Sequence, residues 1–134
     1  MAIFPEKMLN TKLSLDGIAS KLTYYHLQAQ LYHWQTFAGF EHSATGELYE
    51  LLFSFKDELI EKIMGYENKR INSFNILTLK NHSTGSSKSL VNEIILFCRE
   101  LEEFGKKSNM CDVENMAQDL SGSCARINYK LTFT

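Results

Sequence analysis

Four stretches of this chain repeat apolar residues at steps of three and four, and the gaps between them leave few ways to fold it. Leu15, Ile18, Leu22, Tyr25, Ala29 and Tyr32 form the first stripe, and Ala44, Leu48, Leu51, Phe55, Leu59 and Ile63 the second. Leu90, Val91, Ile94, Cys98 and Leu101 form the third, and Val113, Met116, Leu120, Cys124, Ile127 and Leu131 the fourth. Each pattern predicts an amphipathic helix with one face turned to a core. The single proline, Pro5, precedes them all, so none is interrupted by a residue that lacks an N–H. The first helix ends near Gln35, where "TFAGF" loses the period, and the second runs from about Glu41 to Asn68. The third starts behind the serine-rich "STGSSKS" and is closed by Gly105, and the fourth starts at Asn109 as its cap.

The gaps set the topology. Roughly five residues join helices one and two, and about as many join three and four, so each pair is antiparallel. About 20 residues, from Asn68 to Ser87, separate helices two and three. A connection of that length runs the length of the bundle and lets helices two and three point the same way, which is the ferritin-like arrangement with one long crossover. Within it, "INSFNILTL" is expected to form a short extra helix. The reading is a single all-α domain over residues 1–134, a ferritin-like four-helix bundle.

A net charge of −2 gives no general attraction to nucleic acid or anionic membrane, and argues against DNA binding. No apolar run approaches the roughly 20 residues a membrane helix needs. The opening "MAIFPEKMLN" lacks the basic and apolar regions of a secretory signal, which points to the cytoplasm. Cys98, Cys111 and Cys124 are odd in number and show no C-x-x-C spacing, and read as buried, reduced thiols rather than disulfides or zinc ligands.

Helix two has an unusual back. Opposite its core stripe lie His42, Gly46, Tyr49 or Glu50, Phe53, Asp57 and Glu61. A solvated face carries Lys, Glu and Gln rather than a glycine and a phenylalanine. Gly46 costs about 1 kcal/mol against alanine in a helix interior, so something must need the close approach it allows. A second helix packed there, hence a homodimer through helix two, is expected. Asp57 and Glu61, at i and i+4, project from one face and can share a metal ion. His42 lies fifteen residues before Asp57, about 22 Å along a straight helix. His33 can reach His42 across the "TFAGF" turn. The chain therefore carries two half-sites, and a twofold axis behind helix two would bring His33 and His42 of one chain against Asp57 and Glu61 of another. Two imidazoles with two carboxylates suit Fe(II), and also Zn(II) or Mn(II). His26, seven residues before His33, reads as a core histidine near Tyr24 and Tyr25 with a supporting role to the site. His82, in the crossover, is expected to do nothing specific.

These residues resemble the Dps family, the ferritin-like mini-cages of bacteria, through the "HW" pair His33-Trp34, the second histidine His42, and the D-x-x-x-E of Asp57 and Glu61. The match is tightest over Leu31 to Gly65. A closer resemblance is to short Dps-like proteins of bacteriophages and marine viruses, which carry HW, a loop, E-H, A-x-G, then D-x-x-x-E and glycine. Here those are His33-Trp34, Glu41-His42, Ala44-Thr45-Gly46, Asp57, Glu61 and Gly65.

The resemblance implies His33, His42, Asp57 and Glu61 as iron ligands at an inter-subunit ferroxidase site. It implies Trp34 beside that site as a quencher of oxidising radicals. The substrates implied are iron and peroxide or oxygen, the assembly a homo-oligomer from a dimer up to a dodecamer, and the role protection from oxidative stress. Two departures mark this chain. Gly46 stands where Dps proteins carry a further acidic ligand, leaving Glu47 and Glu50 as the nearest acidic groups, and the turn between the histidines is three residues shorter. The lysine-rich tail that holds DNA in some Dps proteins is absent too. The rival expectation, drawn from the missing ligand, is a metal-free structural or interaction protein, for instance a virion component, that keeps the bundle as scaffold.

Overall fold

A computed structural model describes residues 13–133; the "MAIFPEKMLN" opening and Pro5 lie outside them. The described residues form four helices and no strand: α1 (Leu15–Gln35), α2 (Gly39–Glu67), α3 (Ser86–Lys107) and α4 (Cys111–Lys130). None is long and apolar enough to cross a membrane. α1 packs most closely on α2 and α3 on α4, with α2 against α4 and α1 against α3 completing the bundle.

The stripes read from the sequence are the core. All six apolar positions of the α1 stripe and all five of α3 are buried. In α2, Leu52 takes the buried place between Leu48 and Leu59, and Leu51 and Phe55 pack at its edge. Met116 and Leu131 likewise sit at the rim of the α4 stripe, where Ala117 is buried.

The helix ends differ from expectation in three places. Asn109 does not cap α4. It adopts the left-handed conformation (φ 57°) that closes α3, with Met110 N–H donating to Gly105 O (2.8 Å) and Asn109 N–H to Lys106 O (3.3 Å). Gly105 lies within the last turn of α3 rather than beyond it, and a Cβ there would stand 2.8 Å from Glu114 N on α4. The helices meet backbone to backbone at this point, and that approach is what needs glycine. The serine run supplies no side-chain cap to α3: Gly85 (φ 81°) holds the N-cap position, and Ser86 and Ser87 are already helical.

The crossover, residues 69–85, contains no helix, so the expectation for "INSFNILTL" is overturned. Its amides are taken by α1 side chains instead of by a helical ladder. Asp16 accepts from Asn72 N–H and Ser73 N–H (2.9 Å each), and Ser20 Oγ from Asn75 N–H (3.1 Å). Gln28, fully buried, both donates to Lys80 O and accepts from Lys80 N–H (2.8 Å each). Gln35 Oε1 accepts from His82 N–H (2.7 Å). Contacts that begin at Asp16 and end at Gln35 carry the strap along the whole of α1, so α2 and α3 run parallel, as in ferritin-like bundles.

Candidate metal centre

The link between α1 and α2 is only Thr36 to Ala38, so the last turn of one helix faces the first turn of the next. That places His33 against His42. Their rings stack at 3.8 Å between centroids, 16° from parallel. His33 Nδ1 lies 2.6 Å from His42 O, and His42 Nδ1 lies 2.8 Å from His33 O. A carbonyl oxygen only accepts, so both Nδ1 atoms carry hydrogen and each neutral ring keeps its lone pair on Nε2. Neither Nε2 has a hydrogen-bond partner among the described residues. A metal-ligating histidine is commonly held in this manner, one nitrogen on a backbone carbonyl and the other left for the ion.

Gly46 lies beneath this pair. A Cβ added to it would meet His33 Cε1 at 2.9 Å and Nδ1 at 3.1 Å. The close approach expected of a partner helix is thus made by an imidazole of the same chain. The tight three-residue link allows it, because it brings the end of α1 down onto α2.

Asp57 and Glu61 sit together on the exposed outer face of α2, as their spacing requires. They line an open groove of about 740 Å³ between α1, α2 and the strap, beside Phe53, Ile60, Met64 and Phe74. They do not meet the histidines, and no group of three or more His, Cys, Asp or Glu among the described residues is arranged to hold a metal ion. Glu47 points elsewhere, with Lys130 Nζ 2.5 Å from its carboxylate. Glu50 is exposed in a cleft with His26, Tyr49 and Phe53. Trp34 is 67% exposed.

His26 is not a core neighbour of Tyr24 and Tyr25. It is half-buried against the back of α2, 5.5 Å from the Phe53 ring and 6.1 Å from Tyr49, with Lys56 Nζ 3.3 Å from its Nδ1. A residue seven places before His33 shares its face, and that face looks at α2. Burial, then the Lys56 charge, lowers the His26 pKa, and burial lowers that of Lys56.

A polar cluster that sequence reasoning missed lies one turn away. The Glu41 carboxylate accepts from Thr36 Oγ1 (2.9 Å), His82 Nε2 (2.7 Å) and Ser87 Oγ. It ties the α1–α2 link, the end of the strap and the start of α3 together, so His82 does have a specific partner. Burial acts to raise the Glu41 pKa, but the bonds from Ser87, His82 and Thr36 outweigh it and hold the carboxyl below its usual range. Two of its partners are more than 40 residues away along the chain, and no local pattern signals them.

The model of a family of unknown function (DUF5856) matches residues 33–131, and the chain belongs to that family. The match spans all four candidate ligands. No curated protein and no solved structure matches.

Proposed function

We propose that two copies of this chain bind Fe(II) as a substrate between them, and oxidise or sequester it so as to limit peroxide damage. The observation that carries this reading is the His33–His42 pair, each ring fixed through Nδ1 with Nε2 left available. The Asp57–Glu61 pair supports it as a second half-site, exposed and on the same hairpin of α1 and α2. Imidazole and carboxylate together form a mixed N/O set that accepts Fe(II), with Zn(II) and Mn(II) as competitors. The partner copy completes the site, since about 22 Å of α2 separates the two pairs within one chain.

A second reading is favoured by Gly46. The stacked imidazoles and the glycine beneath them satisfy one another inside one chain, as a metal-free clasp would. In that case the bundle is a structural or interaction scaffold, such as a virion component. Anaerobic Fe(II) titration, with mass and metal content read on the same sample, separates the two. Iron retained by an oligomer and lost in both His42→Ala and Asp57→Ala supports the shared site. A folded protein that takes up no iron, or whose uptake is indifferent to Asp57, sinks it in favour of the scaffold.

A further inference from the structure

The groove beside Asp57 and Glu61 has an apolar floor made by Ala19, Phe53, Ile60, Met64, Ile71 and Phe74. Phe53 and Phe74 stand exposed in it. An aromatic patch of this kind, rimmed by charge, marks a surface that meets something. At about 740 Å³ the groove has room for a whole aromatic ring. Part of its charged rim is already engaged. Lys56 Nζ lies 3.3 Å from His26 Nδ1 and 3.5 Å from Thr23 Oγ1, and Glu58 pairs with Lys62 at 3.0 Å. The other two carboxylates, Asp57 and Glu61, are those assigned above to a shared site.

A ring without a seat lies at the other end of α2. Phe37, in the link between α1 and α2, is fully exposed. The link is pinned on either side of it, because Thr36 Oγ1 donates to Glu41 (2.9 Å) and accepts from Ala38 N–H (3.1 Å). The ring is therefore held out in advance of any contact, which lowers the entropy lost on docking. From the start of α2 to Met64 is about 37 Å, so a chain cannot place Phe37 in its own groove. A second copy can. The shared-site reading sets two α2 helices antiparallel, with position 42 of one facing position 59 of the other, midway between Asp57 and Glu61. Position 37 then faces position 64, on the groove floor, and the twofold axis makes the contact twice. The same register turns imidazoles toward the acidic rim. Histidines and carboxylates set that register without reference to Phe37, and the ring nevertheless falls on the groove.

We propose that Phe37 of each copy seats in the groove of the other, against Ile60, Met64 and Phe74, and so locks a dimer whose register rests on the shared-site reading. A cost of this arrangement is Glu50, which is exposed and faces position 51, so that the Glu50 carboxylates of the two copies stand near the axis. The test is sedimentation equilibrium of the whole protein, metal-free and with anaerobic Fe(II). Phe37→Ala should keep its helical circular dichroism yet raise the dimer Kd by a factor on the order of a hundred, since the ring is lost twice. Glu50→Gln should lower the Kd of the metal-free protein. Leu77→Ala, exposed but outside the groove, should leave it unchanged. A benzophenone side chain at position 37, in a mixture of isotopically light and heavy chains, should cross-link light to heavy within residues 60–74. The proposal fails if the protein is a monomer in both conditions or if Phe37→Ala associates undiminished. It fails equally if position 37 cross-links within its own chain or to any other surface. Cross-linking at Met64 in a dimer that takes up no iron would keep the docking and remove the iron reading. Iron bound through His42 and Asp57, with the cross-link elsewhere, would do the reverse.

Discussion

Replacing Gly46 with alanine sets two known quantities against each other. Alanine is favoured over glycine in a helix interior by about 1 kcal/mol. The new methyl, however, would lie 2.9 Å from His33 Cε1, and the ring must swing away. That motion gives up the His33 Nδ1 bond to His42 O, worth about 1 kcal/mol, and a ring stack worth about as much again. The net expectation is a loss of about 1 kcal/mol. Gly65, in the same helix, is the control, because nothing lies within 4 Å of a Cβ added there. Gly65→Ala should therefore stabilise by about 1 kcal/mol, leaving a gap of about 2 kcal/mol between the variants. Urea denaturation of both measures that gap directly. In a His33→Ala background the clash disappears, and Gly46→Ala should become stabilising. If Gly46→Ala alone raises stability as much as Gly65→Ala, the imidazole does not rest on Gly46 in solution, and the clasp as described is wrong.

Gly105→Ala meets backbone at 2.8 Å rather than a movable ring, so it should destabilise by about 2 kcal/mol or more, seen as a lower urea midpoint. Glu41 gives a pH signature. Its folded pKa is depressed, so its contribution is present above the unfolded value, about 4.3, and is lost as pH falls through the folded one. Glu41→Gln should flatten the stability profile in that acidic window, and an unchanged slope would remove Glu41 from the account. The three cysteines should react unequally. Cys111, expected to be buried like the others, is exposed at the first position of α4, whereas burial pushes the Cys124 thiol up to about 12 and raises that of Cys98 as well. Mass spectrometry after brief alkylation should find one modified thiol in the native protein and three after denaturation; rapid native labelling of Cys98 would contradict the packing of α3 on α4.

The bundle was legible because its four stripes are long and uninterrupted, and because a crossover of that length permits parallel α2 and α3. Elements governed by partners far along the chain were not. The strap looked helical from its own residues, but its amides answer to Asp16, Ser20 and Gln28, more than 50 positions earlier. The histidine pair was legible from spacing across a short turn. Its geometry was not, since which nitrogen faces a carbonyl depends on how tightly three residues turn. Gly46 taught the opposite lesson: the need for a close neighbour was readable, but the neighbour's identity was not.

The strap carries one more implication. α1 holds it by peptide groups, so what is recognised at 72, 73, 75, 80 and 82 is the presence of an N–H and not the identity of a side chain. Any residue but proline satisfies that grip. The side chains of Ile76, Leu77 and Leu79, all exposed, make none of these hydrogen bonds. This length of chain can change its outward vocabulary from one family member to another while the scaffold beneath it stays the same.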